Sequence, residues 1–191
     1  MSYLKQALLL VVLAVCSLEL RAQTDKYKAF KVDLSIGFGN PPAVLFSKLP
    51  GVSFTLEPHY RLGDALAIGL RFESAALPVG KVSVQYQNVA FNWVNSVCPT
   101  LEYYIGHLNF RPFIGIGYGW YNQRTRSIGQ TGDSVTVTQK PFTLKGYCPE
   151  AGFEYKHLRI AVQLNILSAR TGNYLEIKIG RFIGGGKKTS P

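Results

Sequence analysis

The amino-acid sequence predicts an all-β fold: an eight-stranded antiparallel up-and-down transmembrane β-barrel, preceded by a cleaved signal peptide. The first observation is a hairpin within residues 100–120, where apolar side chains occupy every second position on both arms. Such alternation indicates strands with two chemically different faces. The second is that six further segments alternate in the same way. The third is composition: 47% of residues are hydrophobic and only 17% charged, unlike a typical soluble surface.

Residues 1–22 have the features of an export signal. Lys5 supplies the positive start, residues 7–18 form an apolar run, and Ala22 provides a small residue at the cleavage position. The apolar run is too short for a membrane-spanning helix, which needs about 20 residues. The predicted organisation is therefore a signal peptide, residues 1–22, followed by a barrel domain, residues 23–191. The alternative is a lipoprotein signal in which Cys16 carries the lipid.

Eight alternating segments are predicted as strands: residues 30–38, 52–60, 66–73, 91–105, 108–120, 148–155, 158–166 and 174–180. Short turns beside His59, His107 and His157 close three hairpins, whereas longer polar connections, such as residues 74–89, join the hairpins. Short turns at one end and long loops at the other are typical of outer-membrane barrels.

Four prolines fall within these segments: Pro58, Pro99, Pro112 and Pro149. A closed barrel has no free edge on which a proline avoids the hydrogen-bond ladder. We therefore expect bulges or shortened ladders at these positions.

The face opposite the apolar rows is predicted to form a charged lumen. Its predicted charge network comprises Asp33, Glu57, Arg71, Glu73, Glu102, Arg111, Glu150, Glu154, Arg159, Glu176 and Lys178, with Lys31 beside them. Arg71, Arg111 and Arg159 are expected to pair with Glu57, Glu102 and Glu154. Buried charges need such partners. Since eight strands enclose only enough space for side chains, the lumen is predicted to be plugged.

Two soluble alternatives have less support. A soluble barrel or sandwich would expose its charged faces to water, and few charges interrupt the apolar rows of this chain. A lipocalin-like ligand carrier would have an apolar interior, whereas the inward row here carries charge.

No catalytic, cofactor or metal site is predicted. Gly115, Gly117 and Gly119 recur with period two on one strand, so they favour a closely packed barrel wall over a nucleotide loop. The three histidines lie beside separate turns, where solvation is the usual state, and could bind a metal only if those turns met. Hydrolysis by a Ser/His/Glu set is disfavoured because every histidine lies at the turn end.

Two cysteines remain after signal removal, Cys98 and Cys148, and they fall on strands separated by one other strand. Two inter-strand steps give roughly 9–10 Å, whereas a disulfide needs Cα atoms within ~7 Å. Free, inward-facing thiols are predicted.

Four features carry a family resemblance. They are the export signal, the eight segments, the sequence Arg-Pro-Phe-Ile-Gly-Ile-Gly-Tyr-Gly at 111–119 and the glycine-rich end at 180–186. The chain resembles the small outer-membrane β-barrel ("porin family") proteins of Gram-negative bacteria, akin to OmpX and the OmpA barrel. The resemblance covers residues 28–186 and implies a bacterial outer-membrane location. Members of this family include adhesins, structural anchors and a few enzymes.

The function expected from this resemblance is that of a non-enzymatic barrel with a structural role in the envelope or a surface-interaction role through its loops. The alternatives are a lipid-modifying barrel enzyme and a small-solute porin.

The net charge of +10 predicts the partners. Basic residues outside the strands form a predicted rim that suits outer-membrane lipid, including lipopolysaccharide phosphates; they include Arg124, Arg126 and Lys140 in a polar loop, and Lys187 and Lys188 in the tail. Nucleic acid is excluded as a partner because the chain is exported and has no basic helix. The loops offer a surface for an extracellular partner, and the protein is expected to be a monomer.

Overall fold

The computed structural model describes residues 27–41, 50–78, 89–106, 109–128, 141–169, 172–185 and 187. The predicted signal peptide lies outside these residues. The described chain forms the strands β1 Phe30–Asn40, β2 Gly51–Arg61, β3 Leu66–Pro78, β4 Val89–Tyr104, β5 Phe110–Ile128, β6 Phe142–Tyr147, β7 Glu150–Tyr155, β8 Leu158–Leu167 and β9 Tyr174–Gly184. Within these described ranges, no helix is long and apolar enough to cross a membrane.

The strands form one closed antiparallel ring. Each of β1 to β5 pairs with the next strand, and β9 pairs with both β8 and β1. Both β6 and β7 lie between β5 and β8. The two are therefore halves of one interrupted strand, and the ring has the eight strand positions that the alternation predicts.

The interruption lies at Cys148 and Pro149. Tyr147 faces Tyr118 and Glu150 faces Gly115, so the register on β5 is the same before and after the gap. Cys148 still exchanges backbone hydrogen bonds with Gly117, at 2.9 and 3.2 Å. Because proline has no N–H to donate, the ladder loses a bond at Pro149 without inserting an extra residue.

The other prolines are accommodated in the same way. On either side of Pro58, Leu56 faces Phe72 and His59 faces Gly69, which is one continuous register. The register between β4 and β5 is likewise unchanged across Pro99. Of the two expected outcomes, shortened ladders are found at these positions and bulges are not.

The strands extend further at the loop end than the apolar rows predict. β3 continues to Pro78, so the predicted connection that begins at Ser74 is wrong for its first five residues. β5 continues to Ile128, so Arg124 and Arg126 lie in a strand extension within the polar segment 121–140, and this part of the segment agrees with strand extensions around a turn beyond Ile128. Backbone pairing with β4 satisfies the polar main chain of both extensions, so the strands persist where side-chain alternation has faded.

The two faces of the wall have opposite chemistry. Large apolar side chains point outward and are exposed, as for Ile114 at 56%, while most charged side chains of the strands point inward and are buried. This distribution is the inverse of a soluble protein and matches a barrel surrounded by lipid. The soluble and lipocalin-like alternatives are thereby excluded.

Aromatic side chains form a girdle at each end of the apolar exterior. The turn-end girdle contains Phe30, Tyr60, Tyr103, Phe110 and Tyr155, and the loop-end girdle contains Trp93, Tyr118, Trp120, Phe142 and Tyr147. Tyr103 and Trp93 are ten residues apart on β4, which corresponds to about 26 Å along the barrel axis for a strand tilted by about 40°. This spacing fits the ~25 Å apolar band of outer-membrane barrels.

Candidate functional site

The predicted charge network lies inside the barrel. The structure buries all twelve side chains, of which Glu150 is the most exposed at 6%. Period-two alternation on every strand brings them to one enclosed space, and cross-strand neighbours then meet at hydrogen-bonding distance. The interior is consequently a polar core whose stability depends on charge pairing.

Arg159, on β8, is the main cation of the turn-side half. Its guanidinium contacts Glu102 at 2.5 Å and Glu150 at 2.8 Å, and its distances to Glu154 and Asp33 are 3.3 and 3.4 Å. The group also lies 3.8 Å from the centre of the Phe113 ring. One guanidinium therefore links carboxylates from β1, β4 and β7.

Arg71, on β3, spans the bore. Its Nε donates to Glu57 at 2.7 Å, and its terminal nitrogens donate to Glu150 and Gln163. Gln163 lies on β8, four strand positions around the ring from β3. These contacts therefore cross the full width of the barrel.

A third group of contacts lies nearer the loop end. Lys178 donates to Glu73 and Gln163, both at 2.6 Å, and the hydroxyl of Tyr174 donates to Glu73 at 2.7 Å. Lys178 also lies 3.7 Å from Glu176. These contacts fill the bore at a second height along the barrel axis, nearer the loop end than the Arg71 contacts.

Arg111 does not form the ion pair that the sequence predicts. It donates to the backbone oxygen of Asp64 at 2.5 Å and lies over the rings of Tyr27 and Tyr104, at 3.9 and 4.5 Å from their centres. Within the described chain it forms no ion pair with a carboxylate. The expected pairing of Arg111 is therefore wrong, because its cross-strand neighbour Glu154 is already bound by Lys31 and Arg159.

Arg61 lies just beyond the predicted second strand, residues 52–60, but its side chain is in the lumen. It is 1% exposed, donates to the backbone oxygen of Gly185 at 2.7 Å, and is 3.5 Å from Glu154. The alternating row of β2 continues through this residue, and that continuation was the available signal. With Arg61 included, the described interior contains six lysines and arginines and seven acids.

His59 is also buried, so its predicted solvated position is wrong. Its Nε2 lies 2.8 Å from Asp33 and 3.6 Å from Glu57, and its Nδ1 lies 3.5 Å from Glu102. His157 is exposed at the β7–β8 turn, and His107 lies outside the described residues. The three histidines therefore do not share one environment.

The group formed by Glu57, His59 and Glu102 has the composition of a metal site. One potential ligand atom from each lies within 4.8 Å of the others. However, Glu57 is held by Arg71 and by the Thr100 hydroxyl at 2.6 Å, and Glu102 is held by Arg159. Their carboxylates already have charged partners, and the arrangement is an ion-pair network.

Glycines on β5 allow the wall to pack closely. A Cβ on Gly117 would lie 2.5 Å from the Cys148 sulfur and 3.0 Å from the Pro99 oxygen. A Cβ on Gly119 would collide with the backbone of β4. The predicted packing role of these glycines agrees with the structure.

Cys98 and Cys148 are free and buried in the structure.

The predicted basic rim is divided between the two ends of the barrel. Arg124 is exposed near the loop end of β5. Lys187 lies at the turn end, where its backbone forms an isolated antiparallel β-bridge with Tyr27. Lys140 and Lys188 lie outside the described residues. Arg124 and Lys187 therefore cannot contact the same membrane leaflet.

Comparisons with known proteins give likeness to solved structures only, since no family model and no curated protein sequence matches the chain. Neisserial surface protein A has 12% identity and a TM-score of 0.49, covering 84% of this chain and 97% of that one. The N-terminal barrel of OprF from Pseudomonas aeruginosa has 10% identity and a TM-score of 0.48, covering 83% and 99%. Ail of Yersinia pestis has 11% identity and a TM-score of 0.46, covering 84% and 100%.

The closed ring, the apolar exterior with two aromatic girdles and the charged interior are features of this chain itself. Together they are the architecture of a small bacterial outer-membrane β-barrel.

Proposed function

We propose that this protein is a non-enzymatic barrel that serves the integrity or the surface interactions of the outer membrane, with a lumen closed to solutes. One observation carries the proposal: Arg71 crosses the bore from β3 to Glu150 and Gln163. The Lys178 contacts with Glu73 and Gln163 add a second obstruction. An eight-stranded barrel is only wide enough for its own side chains, so these contacts leave no room for a solute path.

The orientation follows from the lengths of the connections. Residues 41–50, 79–88, 129–141 and 168–173 connect strands at one end, while short turns lie at the other. In outer-membrane barrels the longer loops face outward and the short turns face the periplasm. Contacts with an extracellular partner or with lipopolysaccharide phosphates would therefore involve the loop end, where Arg124 is exposed.

The lipid-modifying alternative receives no support from the only histidine in the described lumen. His59 is 1% exposed and lies beside carboxylates of Asp33 and Glu102, whereas a hydrolase would place its histidine beside a nucleophile within reach of lipid.

Planar-bilayer recording tests the closed lumen and the porin alternative together. Folded protein should give no sustained, reproducible single-channel current, whereas a 16-stranded porin reconstituted in the same bilayers should conduct. Sustained currents from independent preparations would show that the lumen is a pore.

The surface role is tested separately by replacing residues 129–141 with a flexible linker of about nine glycine and serine residues. This linker is long enough to join Ile128 to Phe142, which pairs with Gln123. If the loops serve surface interactions, this variant should assemble normally but lose adhesion or binding that wild-type cells show. A deletion strain that has normal adhesion and normal detergent resistance would contradict both proposed roles.

A further inference from the structure

A cavity of about 330 Å³ lies at the turn end of the barrel, outside the ion pairs that close the bore. Its lining carries four lysine and arginine side chains, namely Arg61, Arg111, Lys156 and Lys187, and one carboxylate, Glu154. At ~30 Å³ for each water molecule, the space could hold roughly ten waters. It is therefore large enough for a small hydrated anion, and its lining has excess positive charge.

The single carboxylate does not neutralise this excess. Glu154 is bound by Lys31, accepts a hydrogen bond from the Tyr104 hydroxyl at 3.0 Å, and lies 3.3 Å from Arg159. Its contact with Arg61 is long, at 3.5 Å. Most of its charge is thus satisfied by groups deeper in the lumen.

Arg111 lines the cavity and has donors that no described residue satisfies. The side chain is 3% exposed, yet its Nε and Nη1 have no hydrogen-bond partner among the residues that the structure describes. The Nε of Arg61 likewise has no hydrogen-bond partner among the described residues. Buried donors of charged groups are normally paired, because leaving one unsatisfied is unfavourable. An acceptor from outside the described chain would satisfy these donors.

Two aromatic rings hold the guanidinium groups in place. The Arg111 and Arg61 groups lie 3.9 and 4.9 Å from the centre of the Tyr27 ring, and both also lie over Tyr104. Stacking on rings fixes the plane of a guanidinium and leaves its N–H edge available. Two like charges held side by side favour a multiply charged anion between them, and phosphate suits the fork of N–H donors.

We propose that this cavity is a binding site for a phosphate group, facing the periplasm and formed by Arg61 and Arg111, with Lys156 and Lys187 at its edge. The phosphate could come from a soluble phosphorylated compound or from the headgroup of an inner-leaflet phospholipid, since both present the same oxygens. The site is separate from the surface role proposed above and does not depend on it.

Isothermal titration calorimetry on the folded mature barrel in octyl glucoside, without phosphate buffer, tests the site. The probes are inorganic phosphate and glycerophosphoethanolamine, the soluble headgroup of a phospholipid. Saturable one-to-one binding of either probe is expected, and the probe that binds more tightly identifies the source. R111Q should weaken this binding tenfold or more. The matched control R124Q, at the exposed loop end, should leave it unchanged.

No saturable binding of either probe, or equal affinity in wild type and R111Q, would overturn the proposal. Folding of each variant is checked by its migration on unboiled gels. If R111Q does not fold, the double variant K156Q/K187Q replaces it, because both lysines are exposed and are not part of the closed lumen. That variant should weaken binding at least threefold, and an unchanged affinity would refute the site.

Discussion

Arg159→Met is the substitution that tests the lumen network most directly. It removes the guanidinium that contacts Glu102 at 2.5 Å and Glu150 at 2.8 Å but keeps an unbranched side chain to fill space. Glu150 retains Arg71, whereas Glu102 is left with the Tyr104 hydroxyl at 2.6 Å and His59 at 3.5 Å. The change therefore leaves one buried carboxylate without its main partner.

Breaking a buried pair in this way costs about 3–5 kcal/mol. At about 1.4 kcal/mol per factor of ten, the folding equilibrium constant should fall by roughly two to three and a half powers of ten. Glu102→Gln in the Arg159→Met background should recover part of this loss, because it removes the stranded charge.

Arg111→Met is the matched comparison. Arg111 is also buried but pairs with no carboxylate in the described chain, so its loss removes ring stacking and one hydrogen bond to a backbone oxygen, together worth about 1–3 kcal/mol. The assay is urea unfolding of the barrel in lipid vesicles, followed by tryptophan fluorescence. Both tryptophans, Trp93 and Trp120, face outward and are 44% and 48% exposed, so their emission reports contact with lipid. If Arg159→Met is no more destabilising than Arg111→Met, the network does not hold the barrel together as argued.

Three further outcomes are expected. The mature protein should fractionate with outer membranes and migrate faster unboiled than boiled on SDS gels; recovery from the periplasm without detergent would contradict the membrane assignment. Thiol labelling of denatured, unreduced protein should find two thiols per chain, on Cys98 and Cys148, and finding none would show a disulfide. Gly119→Ala should destabilise the barrel by about 1–3 kcal/mol, because its Cβ would press on the backbone of β4. Gly63→Ala, where nothing lies within 4 Å, is the control, and equal stability of the two variants would refute this packing argument.

The strand count and the orientation of the faces could be read from the sequence because both depend on a local rule. Side chains of a strand alternate between two faces, so rows such as that of β2 identify the lumen side residue by residue. The buried positions of Glu57 and Arg71 followed from this rule. Where small residues replace the large apolar row, as from Ser74 onward, the rule gives no signal and the strand is longer than the sequence predicts.

The sequence by itself therefore determined that the chain forms a barrel with eight strand positions, an apolar exterior and a charged interior. Only the tertiary structure decided which charges meet. Those contacts depend on the register of each ladder and on the closure of the ring, which bring together side chains far apart in the chain, such as Lys31 and Glu154, 123 residues apart. Because the ring closes, Glu154 forms ion pairs with Lys31 and Arg159. Arg111 packs against aromatic rings instead, and Arg61 and His59 are buried in the lumen. The physical reason is that alternation fixes the face on which a side chain lies, while its height and its neighbours across the bore are set by all the strands together.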